Sequence, residues 1–162
     1  MSQTDTKIKN IEMPNKYFMP EIIRLLDEGH SVTIRLKGIS MRPFLEDRRD
    51  KALLKKNDSI RINDVVLAEI PQKNYVLHRI IKINGNNIVL RGDGNIRTES
   101  CKTNNIKGTA VGFYRKGRNK LEPTTSIKWH IYSFIWTKLY PIRRYLLYIY
   151  KIIWIKIFPI KL

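Results

Sequence analysis

"YVLHRIIKINGNNIVLRGDGN", Tyr75 to Asn95, reads as two strands around a tight turn. Both runs are rich in Val, Ile and Leu, and the "NGN" between them tolerates the positive φ angles of a hairpin turn. The register matters because of what the strands carry. If Asn84 and Gly85 form the turn, Ile83 pairs with Asn86, His78 falls opposite Arg91 and Asp93 is its diagonal neighbour. If the loop is the four residues Asn84 to Asn87, Ile83 pairs with Ile88 and His78 lies directly opposite Asp93. Either register puts imidazole and carboxylate on one face, because facing partners share a side of the pleat. A three-residue loop would separate them. A carboxylate beside an imidazole can fix its tautomer and stabilise the imidazolium. The bland alternative for Asp93 is turn chemistry, which "GDGN" supplies by itself.

The surrounding chain extends the β pattern. "SVTIRLKG" alternates Val32, Ile34 and Leu36 with polar residues, as a half-buried strand does. "DKALLKK", "DVVLAEI" and "GTAVGFYRKG" read as further strands. Ahead of them, "MPEIIRLLDEGHS" spaces Ile22, Ile23, Leu25 and Leu26 for one helical face, with Pro20 in its first turn and Gly29 at its stop. The expected organisation is an N-terminal segment with a helix (1–30), a mainly β domain (31–119) and a distinct tail (120–162).

The tail stands out by charge. Of 31 Lys and Arg, seven fall from Ile127 to Leu162, where none of the 14 acidic residues lies. It also holds all three tryptophans and five of the eight tyrosines. Pro141 divides it into two pieces, and neither reaches the roughly 20 uninterrupted apolar residues of a membrane span. Basic residues mixed with Trp, Tyr and Ile suit an amphipathic helical segment lying in the headgroup region of a membrane. The formal net charge of +17 favours an anionic partner in general. The polar N-terminus lacks the apolar core of a secretory signal, so a position at the cytoplasmic face of the membrane is expected. A single cysteine, Cys101, excludes an intramolecular disulfide and a cysteine-rich zinc site, and neither metal nor cofactor is expected.

A nucleophile candidate lies upstream in "KGISMRPFL", where Ser40 follows a strand between Gly38 and Pro43. A serine hydroxyl needs a neighbouring base and donors for the oxyanion it creates. Of the three histidines, His30 follows a helix end and His130 lies in the tail, while His78 sits inside an apolar strand, either as a candidate base or as a buried histidine satisfied by a backbone carbonyl. Glu99, six residues after Asp93, is a second acid able to approach from the next loop.

"GISMRP", "NDVVLAE", "YVLHRIIKI" and "LRGDGN", in this order and spacing, resemble the conserved boxes of signal peptidase I and its serine-peptidase relatives, among them the LexA-type self-cleaving repressors. The resemblance covers about Val32 to Gly112. It implies a signal-peptidase/LexA-like β catalytic domain, with Ser40 as nucleophile and His78 as general base, as in the histidine branch of archaeal and endoplasmic-reticulum enzymes. In that branch the assisting acid lies about six residues after the "GDN" aspartate. That places Glu99 in the role, whereas the hairpin geometry favours Asp93. Three departures accompany the likeness. The apolar segment is C-terminal, Gly38 stands where a serine often completes the oxyanion hole, and "GDGN" replaces the usual "GDN" continuation.

The expected function is a serine endopeptidase acting on a leader or membrane-proximal peptide. The alternatives are a LexA-like self-cleaving or DNA-binding regulator and a catalytically silent membrane-surface module. No helix-turn-helix is legible ahead of the domain and no lysine stands in the base position, so nucleic acid is not the expected partner.

Overall fold

The computed structural model describes residues 15–57 and 59–157. The polar N-terminal stretch and the last five residues of the tail lie outside the described residues. In chain order the elements are α1 (Asn15–Asp27), β1 (Val32–Arg35), β2 (Lys51–Lys55), β3 (Val65–Ile70), β4 (Asn74–Asn84), β5 (Asn87–Arg91), β6 (Glu99–Lys102), β7 (Ile106–Tyr114), β8 (Leu121–Pro123), α2 (Ile127–Lys138) and α3 (Arg143–Ile149). A π-helical stretch, Tyr150–Trp154, and one more helical turn, Ile155–Ile157, follow.

The fold is mainly β: one curled antiparallel half-barrel sheet with a leading helix. The strand order is β1-β2-β7-β3-β4-β5-β6, with β8 also on β7. β7 holds the sheet together because it pairs with β2 along one edge and with both β3 and β8 along the other. Alternation along each strand then sorts the apolar residues into two clusters. One lies under α1 and the loop after β1, and includes Ile22, Leu26, Leu54, Leu67 and Phe113. The other fills the opposite side with Val66, Ile80, Ile88 and Leu90. In α1, Ile22 and Leu26 bury against this sheet, one turn apart as a helical face requires. Pro20 falls inside the helix and not in its first turn, since α1 spans Asn15–Asp27.

The segment beyond residue 119 is joined to the same body. β8 extends the sheet, and α2 presses Trp129, Ser133 and Trp136 into it. Ser126 caps α2 by accepting the Trp129 backbone N–H. An aromatic group of Phe44, Phe113, Trp129 and Tyr132 then locks the helix beneath the loop that carries Ser40, with ring centroids 4.3 to 6.2 Å apart. The outer faces are apolar and exposed at Ile131, Phe134, Tyr145, Tyr148 and Ile153. Among the described residues, no helix is long and apolar enough to cross a membrane.

Candidate active site

The hairpin forms, with its turn at Gly85 and Asn86 and with Asn84 opposite Asn87. Ile83 therefore pairs with Ile88, as the longer-loop reading has it. The pairing then slips: Lys82 faces Val89, but Ile80 faces Leu90 and Arg79 faces Arg91. Ile81 is the extra residue of a β-bulge. One inserted residue exchanges the faces of everything beyond it. Arg79 therefore takes the place beside Asp93 that a regular ladder would give to His78.

Asp93 is 1% exposed and is bound on all sides. Its carboxylate accepts Arg79 Nε at 2.8 Å, Arg79 Nη2 at 2.7 Å and the Tyr132 hydroxyl at 2.9 Å. Trp136 Nε1 donates to its backbone carbonyl at 2.9 Å. Arg79 Nη1 reaches the Asn63 carbonyl and Ser133 Oγ, and the guanidinium lies 4.8 Å from the Trp129 ring centre. Burial opposes the charge on Arg79, yet Asp93 outweighs it and holds the guanidinium above its ordinary pKa. Burial, then the Asp93 charge, pushes the Tyr132 phenol well up, so it stays a donor. Asp93 thus pins the site hairpin to α2 and is not in contact with the imidazole. That overturns the pairing expected from an unbroken hairpin.

His78 is 3% exposed and its Nδ1 lies 2.5 Å from Glu99 Oε2. The strand register explains the meeting. Glu99 in β6 faces Leu90, and Leu90 faces Ile80, two residues from His78 on the same side of β4. The row between them is open because residue 92 is glycine. A Cβ there would stand 2.4 Å from the Ser40 carbonyl oxygen and 3.0 Å from both His78 Nε2 and Asn95 Nδ2. The Ser40 backbone and His78 Nε2 therefore crowd one point. Gly94 serves the same approach, since its N–H donates to the Ser40 carbonyl at 2.7 Å and a Cβ on it would meet the Ile39 carbonyl at 2.5 Å.

The loop bearing Ser40 is held from below. Gly38 N–H donates to Asp47 Oδ1 at 2.7 Å. Glu46, 1% exposed, accepts Arg42 Nε at 2.9 Å and the Tyr150 hydroxyl at 2.5 Å. Asp50, fully buried, accepts the Glu46 and Lys116 backbone N–H groups and the Arg49 guanidinium. The charge-dense "RRDKALLKK" therefore contains an internal brace as well as surface lysines.

Ser40, His78, Glu99 and Asn95 line one groove of about 370 Å³, floored by Ile34, Leu36, Met41, Leu67 and Leu77 and flanked by Phe18 and Met19 of α1. A carboxylate accepts hydrogen bonds and cannot donate them. An ionised Glu99 facing a neutral imidazole takes the proton at Nδ1 and leaves the lone pair at Nε2, which lies across Gly92 from the Ser40 backbone carbonyl. His30 and His130 are exposed and do not line this groove. Reading the sequence missed Asn95 as a lining residue and Arg79 as the partner of Asp93. An arginine inside the apolar run "HRII" was the available signal, because a buried guanidinium demands a carboxylate.

No protein-family model matches the chain, and no curated protein matches it either.

Proposed function

We propose that the chain is a serine endopeptidase of the signal-peptidase-like class, with Ser40, His78 and Glu99 as its reacting set. The observation that carries the reading is the His78–Glu99 contact, with Nε2 turned toward the Ser40 loop in a shared groove. Ser40 Oγ attacks the scissile carbonyl while His78 Nε2 takes its proton. The developing imidazolium is stabilised by Glu99 across Nδ1. The oxyanion meets backbone donors such as the Ser40 N–H, and the Asn95 amide is a further donor facing the groove. His78 then passes the proton to the leaving amine, and water releases the acyl group by the same route. An extended peptide alongside β1 would lay small apolar side chains on the groove floor, since strand addition presents a carbonyl to a fixed nucleophile.

The substrate would be a leader or membrane-proximal peptide. The exposed apolar and basic surface of α2 and α3 supports this, because it suits the interface of a bilayer. Incubation with a mixed peptide library and mass spectrometry of the products tests the chemistry. Native protein is expected to cleave a subset of peptides, and Ser40→Ala and His78→Ala variants to leave them intact. Equal cleavage by Ser40→Ala would refute the assignment.

A further inference from the structure

Beside Tyr140, two buried arginines have no carboxylate partner among the described residues. Arg91 closes β5 with 8% of its surface exposed, and Arg143 opens α3 with 3% exposed. The Nε of each is buried without an acceptor. Arg143 gives Nη2 to the Trp136 carbonyl at 2.7 Å, and neither arginine has an ion-pair partner among the described residues. Both flank one ring: the Arg91 guanidinium carbon lies 3.7 Å from the Tyr140 centroid and that of Arg143 lies 5.5 Å away.

Burying a guanidinium is costly unless an anion compensates it. An aromatic face supplies only part of that compensation. The nearby acid, Asp93, is already taken by Arg79 and Tyr132. Burial, with the Asp93 charge opposing it and the repulsion of Arg91 and Arg79 adding to it, holds Arg143 below its ordinary pKa. The cluster has the donors and the charge for one more anion.

We infer that Arg91 and Arg143 hold the phosphate of an anionic phospholipid headgroup at the edge of the Tyr140 ring. The planar fork of arginine matches phosphate oxygens in pairs, which accounts for the class of anion. The surroundings account for its carrier. Ile96, whose carbonyl accepts the Tyr140 hydroxyl at 3.4 Å, is exposed, as are Ile135, Ile142 and Tyr145 and the cations Lys138 and Arg144 in the chain that flanks Tyr140 and Arg143. Free phosphate gains nothing from such an apolar collar, whereas a headgroup on its acyl chains does. The inference rests on the C-terminal helices lying on a membrane, and it adds a specific site to that general adsorption.

Co-sedimentation of the full chain with phosphatidylcholine vesicles, with and without phosphatidylglycerol, tests it. Native protein is expected to partition onto the anionic vesicles. Arg91→Lys, which keeps the charge and loses the fork, and Arg143→Gln should each weaken that partition about tenfold, the loss expected for a charge-assisted pair. Lys55→Gln, which removes the same charge from an exposed position, should change it much less. A second measurement on native protein covers a variant that fails to fold. Short-chain phosphatidylglycerol should shift the Nε–H resonances of Arg91 and Arg143. Vesicle binding with these resonances unmoved and all variants equal would overturn the site while sparing the membrane-lying helices. No binding to anionic vesicles would overturn both. Resonances shifted by inorganic phosphate but not by phosphatidylglycerol would overturn the lipid assignment.

Discussion

Removing the Asp93 carboxylate should unfold the protein before it disables the chemistry. Asp93→Ala deletes three acceptor contacts, two from Arg79 and one from Tyr132, all at 2.7 to 2.9 Å. Arg79, 2% exposed, would keep only the Asn63 carbonyl and Ser133 Oγ against a full charge. Stranding a buried charge in this way costs about 3–5 kcal/mol. With a urea dependence of about 2 kcal/mol per molar, the unfolding midpoint should fall by about 2 M. Because the same carboxylate ties α2 to the site hairpin, tryptophan fluorescence and far-UV circular dichroism should report one shifted transition. A variant within about 1 kcal/mol of native stability, but with peptide cleavage abolished, would refute this reasoning and return Asp93 to the imidazole.

Three further outcomes separate the roles of neighbouring residues. Glu99→Gln should leave stability within about 1 kcal/mol, because the carboxylate is partly exposed. In steady-state cleavage it should lower kcat by at least about a hundredfold, the scale of a misaligned general base. Gly92→Ala drives a methyl into the Ser40 backbone carbonyl, and the displacement should cost about a hundredfold in kcat/KM together with about 1–3 kcal/mol of stability in urea unfolding. At Glu122, burial opposes ionisation but Lys128 and Arg115 outweigh it, so its folded pKa lies below the ordinary value. Its stabilisation, about 1 kcal/mol for a partly buried carboxylate paired with two cations, is present above the unfolded carboxylate pKa and is lost as pH falls through the folded one. The stability gap between native protein and Glu122→Gln should therefore close in acid. A gap unchanged from neutral to strongly acid solution would rule that out.

The strands, the hairpin and the leading helix were legible because period-two alternation and "NGN" are local signals. The His78 face was not, since nothing in "HRIIKI" marks Ile81 as the bulged residue, and one residue decides which of His78 and Arg79 meets Asp93. Glu99 was legible as a second acid able to approach from the next loop, but only the resemblance preferred it to Asp93, because its approach depends on β6, a short strand with a weak apolar pattern. The tail showed its aromatic and basic character, but α2 is apolar on both faces. Periodicity therefore gave no reason to set Trp129, Ser133 and Trp136 inward and Ile131 and Phe134 outward. That choice comes from tertiary partners: Arg79, Asp93 and the aromatic floor under Ser40.

The coupling of Ser40 to His78 is the central claim, and a thiol at position 40 tests it without any substrate. In Ser40→Cys, alkylation by iodoacetamide at neutral pH should run at least about tenfold faster than at an ordinary thiol, because an adjacent imidazole favours the thiolate. Cys101 is buried with its pKa raised by that burial, so it should contribute little background. Adding His78→Ala should abolish the acceleration. An alkylation rate independent of His78 would contradict the account.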